Sequence, residues 1–199
     1  VPWLTLAAVY AFSYDRFEKK RDLLLGTLFV SVAFVLRQQL GFCALVFLIL
    51  PVLKKRFKDL VPVCLLGLGC FVLAGIPDYF IRGKFHFSLL QLTVYNFEHG
   101  AEYGQRPVYF YPILFFVMML IPFFIARYKD LKIKEVLLSH RSLYIILFLF
   151  TFLHSLFPQK WERFAISLIP LMLIMLFPFL EYLQSRFHQY KWRLISLYG

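Results

Sequence analysis

The sequence predicts an all-α fold: a polytopic transmembrane helical bundle of about six short or full membrane spans, preceded by a truncated N-terminal helix. Three observations carry that reading. Of the 199 residues, 61% are hydrophobic and 20% aromatic, with a mean hydropathy of +0.70, which is more apolar surface than one soluble core of this length would hide. Long apolar runs recur along the chain, separated by short segments in which the charges gather. Lys and Arg crowd into alternate segments, the pattern that orients helices in a bilayer.

Taken in order, the run Val1 to Phe12 is too short to cross a bilayer and lacks the charged start of a signal peptide. It reads as the cut first helix of a longer protein, and residues 1–199 as a single transmembrane domain forming its C-terminal part. Tyr14 to Asp22 is a first basic loop, with Arg16, Lys19, Lys20 and Arg21. Leu23 to Leu36 and Leu40 to Leu53 flank Arg37-Gln38-Gln39, and each half is only about 21 Å long against a hydrocarbon core of about 30 Å. One helix bent at Arg37 and a hairpin with Arg37 at its tip both fit. The second basic cluster, Lys54, Lys55, Arg56 and Lys58, favours the hairpin, because both clusters then lie on the cytoplasmic face.

Leu60 to Ile76, Tyr109 to Ala126, Ser142 to Phe157 and Phe164 to Leu180 supply the remaining crossings, with basic connections at Arg127 to Arg141 and in a tail holding Arg186, Lys191 and Arg193. This threading puts 16 of the 22 Lys and Arg on the cytoplasmic side. Arg37, Arg82, Lys84, Arg106, Lys160 and Arg163 fall on the other.

The net charge of +11 would point to nucleic acid in a soluble protein, but here it sits in short inter-helix loops, so nucleic acid is excluded as a partner. Cys43, Cys64 and Cys70 form no CxxC pair and lie in apolar runs, as small buried hydrophobes do. No residue set has metal-ligand spacing, and no cofactor is assigned; a divalent cation is left open.

The outward side holds the polar groups of interest. Residues 77–108 are expected to form an extracytoplasmic loop with an interfacial helix, since aromatic and polar residues interleave from Phe85 to Phe97. Asp78 suits a helix cap there. His86 and His99 read as interfacial polar groups rather than metal ligands, and His154, deep in a span, fits either a bond to a neighbouring helix or a cavity wall. Pro158 to Phe164 places Lys160, Glu162 and Arg163 between two apolar runs, where charge must face water, pair or serve a ligand.

The order Asp78-Tyr79-Phe80, Tyr95-Asn96, Tyr103-Gly104-Gln105-Arg106-Pro107 and Lys160-Trp161-Glu162-Arg163-Phe164, with Pro170 downstream, resembles the C-terminal half of GT-C membrane mannosyltransferases. The nearest branch is that of the GPI-anchor and dolichol-linked-oligosaccharide enzymes, the glycosyltransferase family 22 type. That branch shows a D-x-x-(Y/F)-(Y/F)-G segment, a Y-N, a Y-G-x-H-P-W segment and an H-K-E-x-R-F motif in this order. The likeness runs from about Arg37, where the family has R-P-T, to Pro170. Gln159 stands for His, Trp161 for Glu, Arg106 for the His before Pro, and Gln38-Gln39 for Pro-Thr, which marks a divergent, bacterial-type member.

The resemblance implies a GT-C-like bundle and a multi-pass enzyme of the bacterial inner membrane, or of the endoplasmic reticulum if eukaryotic. It implies transfer of a sugar from a polyprenyl- or dolichyl-phosphate donor to a glycan or lipid acceptor on the extracytoplasmic face, among membrane lipids. Its catalytic Asp would precede Val1. Arg37, Arg106, Lys160 and Arg163 would meet the donor phosphate, Glu162 would orient Arg163, and Tyr103 and Gln105 would complete the substrate site. A transporter or flippase, and an assembly subunit that kept the fold without catalysis, are the alternative classes.

Overall fold

The computed structural model describes residues 2–99, 107–116, 138, 140–156 and 166–176, and among them every regular element is helical. Helix α1 (Pro2–Phe17) begins on a proline, whose missing N–H costs nothing in a first turn. A tight turn through Glu18 and Lys19 leads into α2 (Lys20–Leu36). Ala7, Ala8 and Ala11 are fully buried, and their small side chains let the two helices approach closely.

At Arg37 the backbone becomes extended, with φ −148° and ψ 99°, and the chain continues as a 3-10 stretch, Gln38–Leu45, and then α3 (Val46–Leu53). This descending limb lies back along α2. A Cβ placed on Gly26 of α2 would overlap the ring of Phe47 from α3, so the close approach depends on that glycine. The limb ends with Lys54 Nζ 2.9 Å from Glu18 Oε1, beside the turn from which α2 began. The chain therefore forms the hairpin rather than the bent helix, with Arg37 at the tip.

A 3-10 turn, Phe57–Asp59, leads into α4 (Leu60–Arg82), about 35 Å long. Phe57–Arg82 is the one stretch among the described residues that is long and apolar enough to cross a membrane; Gln38–Leu53, Arg141–Ser155 and Ile166–Leu176 are shorter apolar helices. The expected end at Ile76 is corrected: Pro77 lies inside α4, and the helix stops at Gly83, whose N–H donates to the Tyr79 carbonyl at 2.9 Å. A left-handed glycine, at φ 68°, is a stronger stop than a proline whose lost hydrogen bond the helix can absorb. Segment 77–108 thus starts in α4 and holds α5 (Phe87–Glu98).

Residues 110–116 are helical and pack on α6 (Arg141–Ser155) through Tyr111 and Phe115, which meet Phe150 edge-on. Ser167, Leu168, Leu171 and Met175 of Ile166–Leu176 are also buried. By contrast α4 leaves Val61, Leu65, Leu68 and Leu73 exposed, an apolar face that suits lipid.

One end of the bundle is tied by ions. Arg141 grips Asp15 in a fork, Nε to Oδ1 at 2.8 Å and to Oδ2 at 2.9 Å, and Nη2 to Oδ1 at 2.6 Å. Lys54 Nζ lies 3.6 Å from Asp15, and Arg56 donates to the Glu18 carbonyl at 2.6 Å and pairs with Asp59 at 2.9 Å. Buried Tyr14 donates to Asp59 at 3.1 Å, and Ser13 donates to Asp22 at 2.5 Å. The two basic loops and Arg141 share one end of the molecule.

Asp15→Asn removes the anion from two cations and should lower stability by about 2 kcal/mol, a buried-pair loss discounted for the part-exposed Arg141. Thermal unfolding in detergent measures it; an unchanged midpoint would deny the cluster its role. A second expectation concerns pH. The Lys54 hydrogen bond and charge hold the Glu18 carboxyl below its ordinary range. A carboxyl depressed by folding contributes stability above its unfolded pKa of about 4.3, and that contribution is lost as pH falls through the folded value. Glu18→Gln should therefore flatten the acid limb of the midpoint-versus-pH curve while leaving its neutral limb in parallel.

Candidate functional site

The opposite end of the hairpin carries Arg37. Its main chain is fixed on both sides: the N–H donates to the Ala33 carbonyl at 2.8 Å, and the carbonyl accepts from Leu40 at 2.9 Å. The exposed side chain reaches across the bundle, and Nη1 donates to Ser167 Oγ at 3.0 Å. Ser167 is fully buried in the 3-10 turn Ile166–Leu168, four residues after Arg163 in sequence. That contact, over 130 positions, brings the tip of the hairpin to the chain that leaves the Pro158 to Phe164 motif. The guanidinium has further donors in its planar fork, the arrangement that suits a phosphate or carboxylate.

An aromatic layer lies near this end. The His154 ring stacks on Phe150 with centroids 3.9 Å apart, and Phe42 and Tyr111 approach it edge-on at 5.7 and 6.1 Å. Nδ1 is 3.1 Å from the Phe150 carbonyl in its own helix. His154 is a buried, packed histidine, bonded within α6 and held edge-on by rings from neighbouring elements.

The α4–α5 corner is built just as firmly. Both oxygens of Asp78 accept from Ser88, from the backbone N at 2.7 Å and from Oγ at 2.6 Å. Ser88 is the second residue of α5, so Asp78, from inside α4, supplies the acceptor that an orphan N–H of that helix needs, while His86 holds the N-cap position. A cap was expected; the helix it serves is the later one. His86, at φ 53°, stacks on Phe71 at 4.0 Å, and its ring occupies the space that a side chain on Gly75 would need, with Nε2 2.7 Å from an added Cβ. Arg82 donates to Gln91 at 3.3 Å and lies over the Phe87 ring. An open groove of about 620 Å³ runs here, lined by Arg82, Ser88, Gln91, Tyr95 and Glu98.

Of the residues singled out from sequence, Arg37 is placed as described. Tyr103, Gln105, Arg106, Lys160, Glu162 and Arg163 lie outside the described residues. Ser167 was missed: a single serine in an apolar run gives no signal until the fold sets it against Arg37.

The sequence profile of the Alg9-like mannosyltransferase family matches residues 3–198. The chain belongs to this family. The match covers nearly the whole chain, more than the stretch from Arg37 to Pro170 in which the motifs were read. No curated protein and no solved structure matches it. Family membership places the chain among membrane-embedded glycosyltransferases and agrees with the helical, apolar architecture of the described residues. In an Alg9-like bundle a rigid α4–α5 corner would keep the groove in one shape.

That rigidity can be tested. Gly75→Ala forces the His86 ring to move, and Asp78→Ala removes the acceptor that caps α5. Each should raise amide hydrogen exchange in the first turn of α5 about fivefold, while α1 and α2 keep their protection. Unaltered exchange in both variants would show that the corner is held by other contacts.

Proposed function

We propose that this protein transfers a sugar, of the mannosyl type, from a polyprenyl- or dolichyl-phosphate donor to a glycan or lipid acceptor on the extracytoplasmic face. The family match supports the sugar-transfer class, and the Arg37–Ser167 contact supports the location. That contact lies at the end of the bundle opposite the Asp15 cluster, with the basic loops remote from it. If those loops face the cytoplasm, Arg37 faces outward, which is where a lipid-linked sugar on the far leaflet would arrive.

The chemistry is a single displacement. The acceptor oxygen forms a bond to the anomeric carbon as that carbon's bond to the phosphate oxygen breaks; the acceptor proton passes to a carboxylate base, and the lipid phosphate leaves as an anion. Cations that strengthen their hold as negative charge develops on the leaving phosphate lower the barrier. Arg37, Arg106, Lys160 and Arg163 take this role, with Arg163 oriented by Glu162 and suited to a bidentate grip. Tyr103 stacks on the sugar and Gln105 bonds its hydroxyls. The bacterial inner membrane is the favoured location.

Arg163→Ala and Arg37→Ala should each lower turnover with a polyprenyl-phosphate sugar by about a hundredfold without loss of expression, and Arg37→Lys should recover only part. Full turnover in Arg163→Ala would remove the phosphate role from that residue. Single cysteines at Gln105 and Lys160 should label with an impermeant reagent from one side, and a cysteine at Lys58 from the other. Labelling of all three from one side would overturn the orientation.

A further inference from the structure

The ion cluster sorts charge by position. The acids Asp15, Asp22 and Asp59 have side chains at most 8% exposed, and Glu18 is engaged by Lys54 and Arg56. The three aspartates are turned inward onto Arg141, Lys54, Arg56 and Ser13, and Glu18, half exposed, lies between Lys54 and Arg56. Arg16, Lys19, Lys20, Lys55 and Lys58 are exposed around them. They come from two turns, each with a left-handed residue at its apex, Glu18 at φ 56° and Lys55 at φ 57°. Glu18 joins those turns through Lys54 and Arg56, so cations far apart in sequence form one surface whose anions are already engaged.

Apolar surface adjoins this patch. Phe17 is 60% exposed and Phe57 59%, Lys19 Nζ stands 5.7 Å over the Phe17 ring, and exposed Val52, Leu53 and Val61 carry the apolar face onward into α3 and α4. Cations with aromatic side chains, at the rim of an apolar belt, match the headgroup level of a bilayer: the rings sit at the boundary and the ammonium groups reach outward to phosphate. An acidic soluble partner would answer to the charge alone and would leave the aromatic rim unexplained.

We infer that the facing α1–α2 and α3–α4 turns form a binding site for anionic phospholipid headgroups, with Lys19, Lys20, Lys55 and Lys58 contacting the phosphate. Bound lipid bridges the two turns, as the Glu18 ion pairs do. The inference does not depend on sugar transfer, since it uses only the residues of this end and the membrane setting.

The test uses the full-length protein in neutral detergent, titrated separately with short-chain phosphatidylglycerol and phosphatidylcholine and read by native mass spectrometry. Phosphatidylglycerol should bind at least about tenfold more tightly, because each near-surface Lys adds to the attraction for an anionic leaflet. The combined Lys19→Gln, Lys20→Gln, Lys55→Gln and Lys58→Gln variant should lose that preference. Arg82→Gln with Lys84→Gln, at the other end of α4, should keep it. If the fourfold variant does not fold, Lys55→Gln with Lys58→Gln should still reduce the preference at least about threefold. Equal binding of the two lipids, an undiminished preference in the variants, or equal loss in the Arg82 and Lys84 control overturns the inference. Displacement of phosphatidylglycerol by a poly-glutamate peptide at lower concentration also overturns it, in favour of an acidic protein partner.

Discussion

Asp15 is the constraint on which the arrangement of this bundle depends. It lies in the last turn of α1, where the helix dipole disfavours a negative charge, and Arg141 opens α6, where the dipole disfavours a positive one. Each charge is therefore poorly placed in its own helix. Their bidentate pairing at 2.6 to 2.9 Å cancels both penalties and sets the end of α1 beside the start of α6. Lys54 and Glu18 extend the tie to the end of α3, and Arg56, Asp59 and Tyr14 extend it to the start of α4. Dispersion among interchangeable apolar side chains would not by itself specify this register; a fork that fits one partner does.

The hairpin follows from that tie. With Lys54 held beside Glu18, the chain from Lys20 to Leu53 must leave the ionic end and return to it within two short limbs, so it turns where Arg37 stands. The limbs are shorter than a full membrane crossing, with α2 at 17 residues against 23 in α4. The Arg37 side chain remains exposed at that turn, and its bond to the buried Ser167 fixes where the guanidinium stands.

What could be read from the sequence was whatever periodicity and charge record directly. The helical class, the break at Arg37 and the grouping of the two basic loops all follow from apolar runs interrupted by charge, and the hairpin followed once both loops were put on one side. The family motifs named the sugar-transfer class that the profile match supports. The end of α4 was misplaced because a proline looks like a stop, whereas the helix tolerates Pro77 and ends at a glycine six residues on. Pairings were not legible at all. Asp15 with Arg141, Arg37 with Ser167 and Asp78 with Ser88 join residues whose separations obey no local rule, and the acids looked like minor members of basic loops.

The same pairings explain why the two ends differ chemically. At the ionic end Asp15, Glu18, Asp22 and Asp59 are each met by a cation or hydroxyl from a neighbouring element, and the surplus charge that remains is positive and outward. At the Arg37 end the described residues give the guanidinium one neutral partner, a serine hydroxyl, which positions it without neutralising it. A site that must attract an anion needs that kind of support, because a carboxylate in place of Ser167 would hold Arg37 as firmly but spend its charge internally. The bundle thus concentrates charge neutralisation at the end that fixes its shape, while among the described residues the Arg37 end pairs its guanidinium with a neutral hydroxyl.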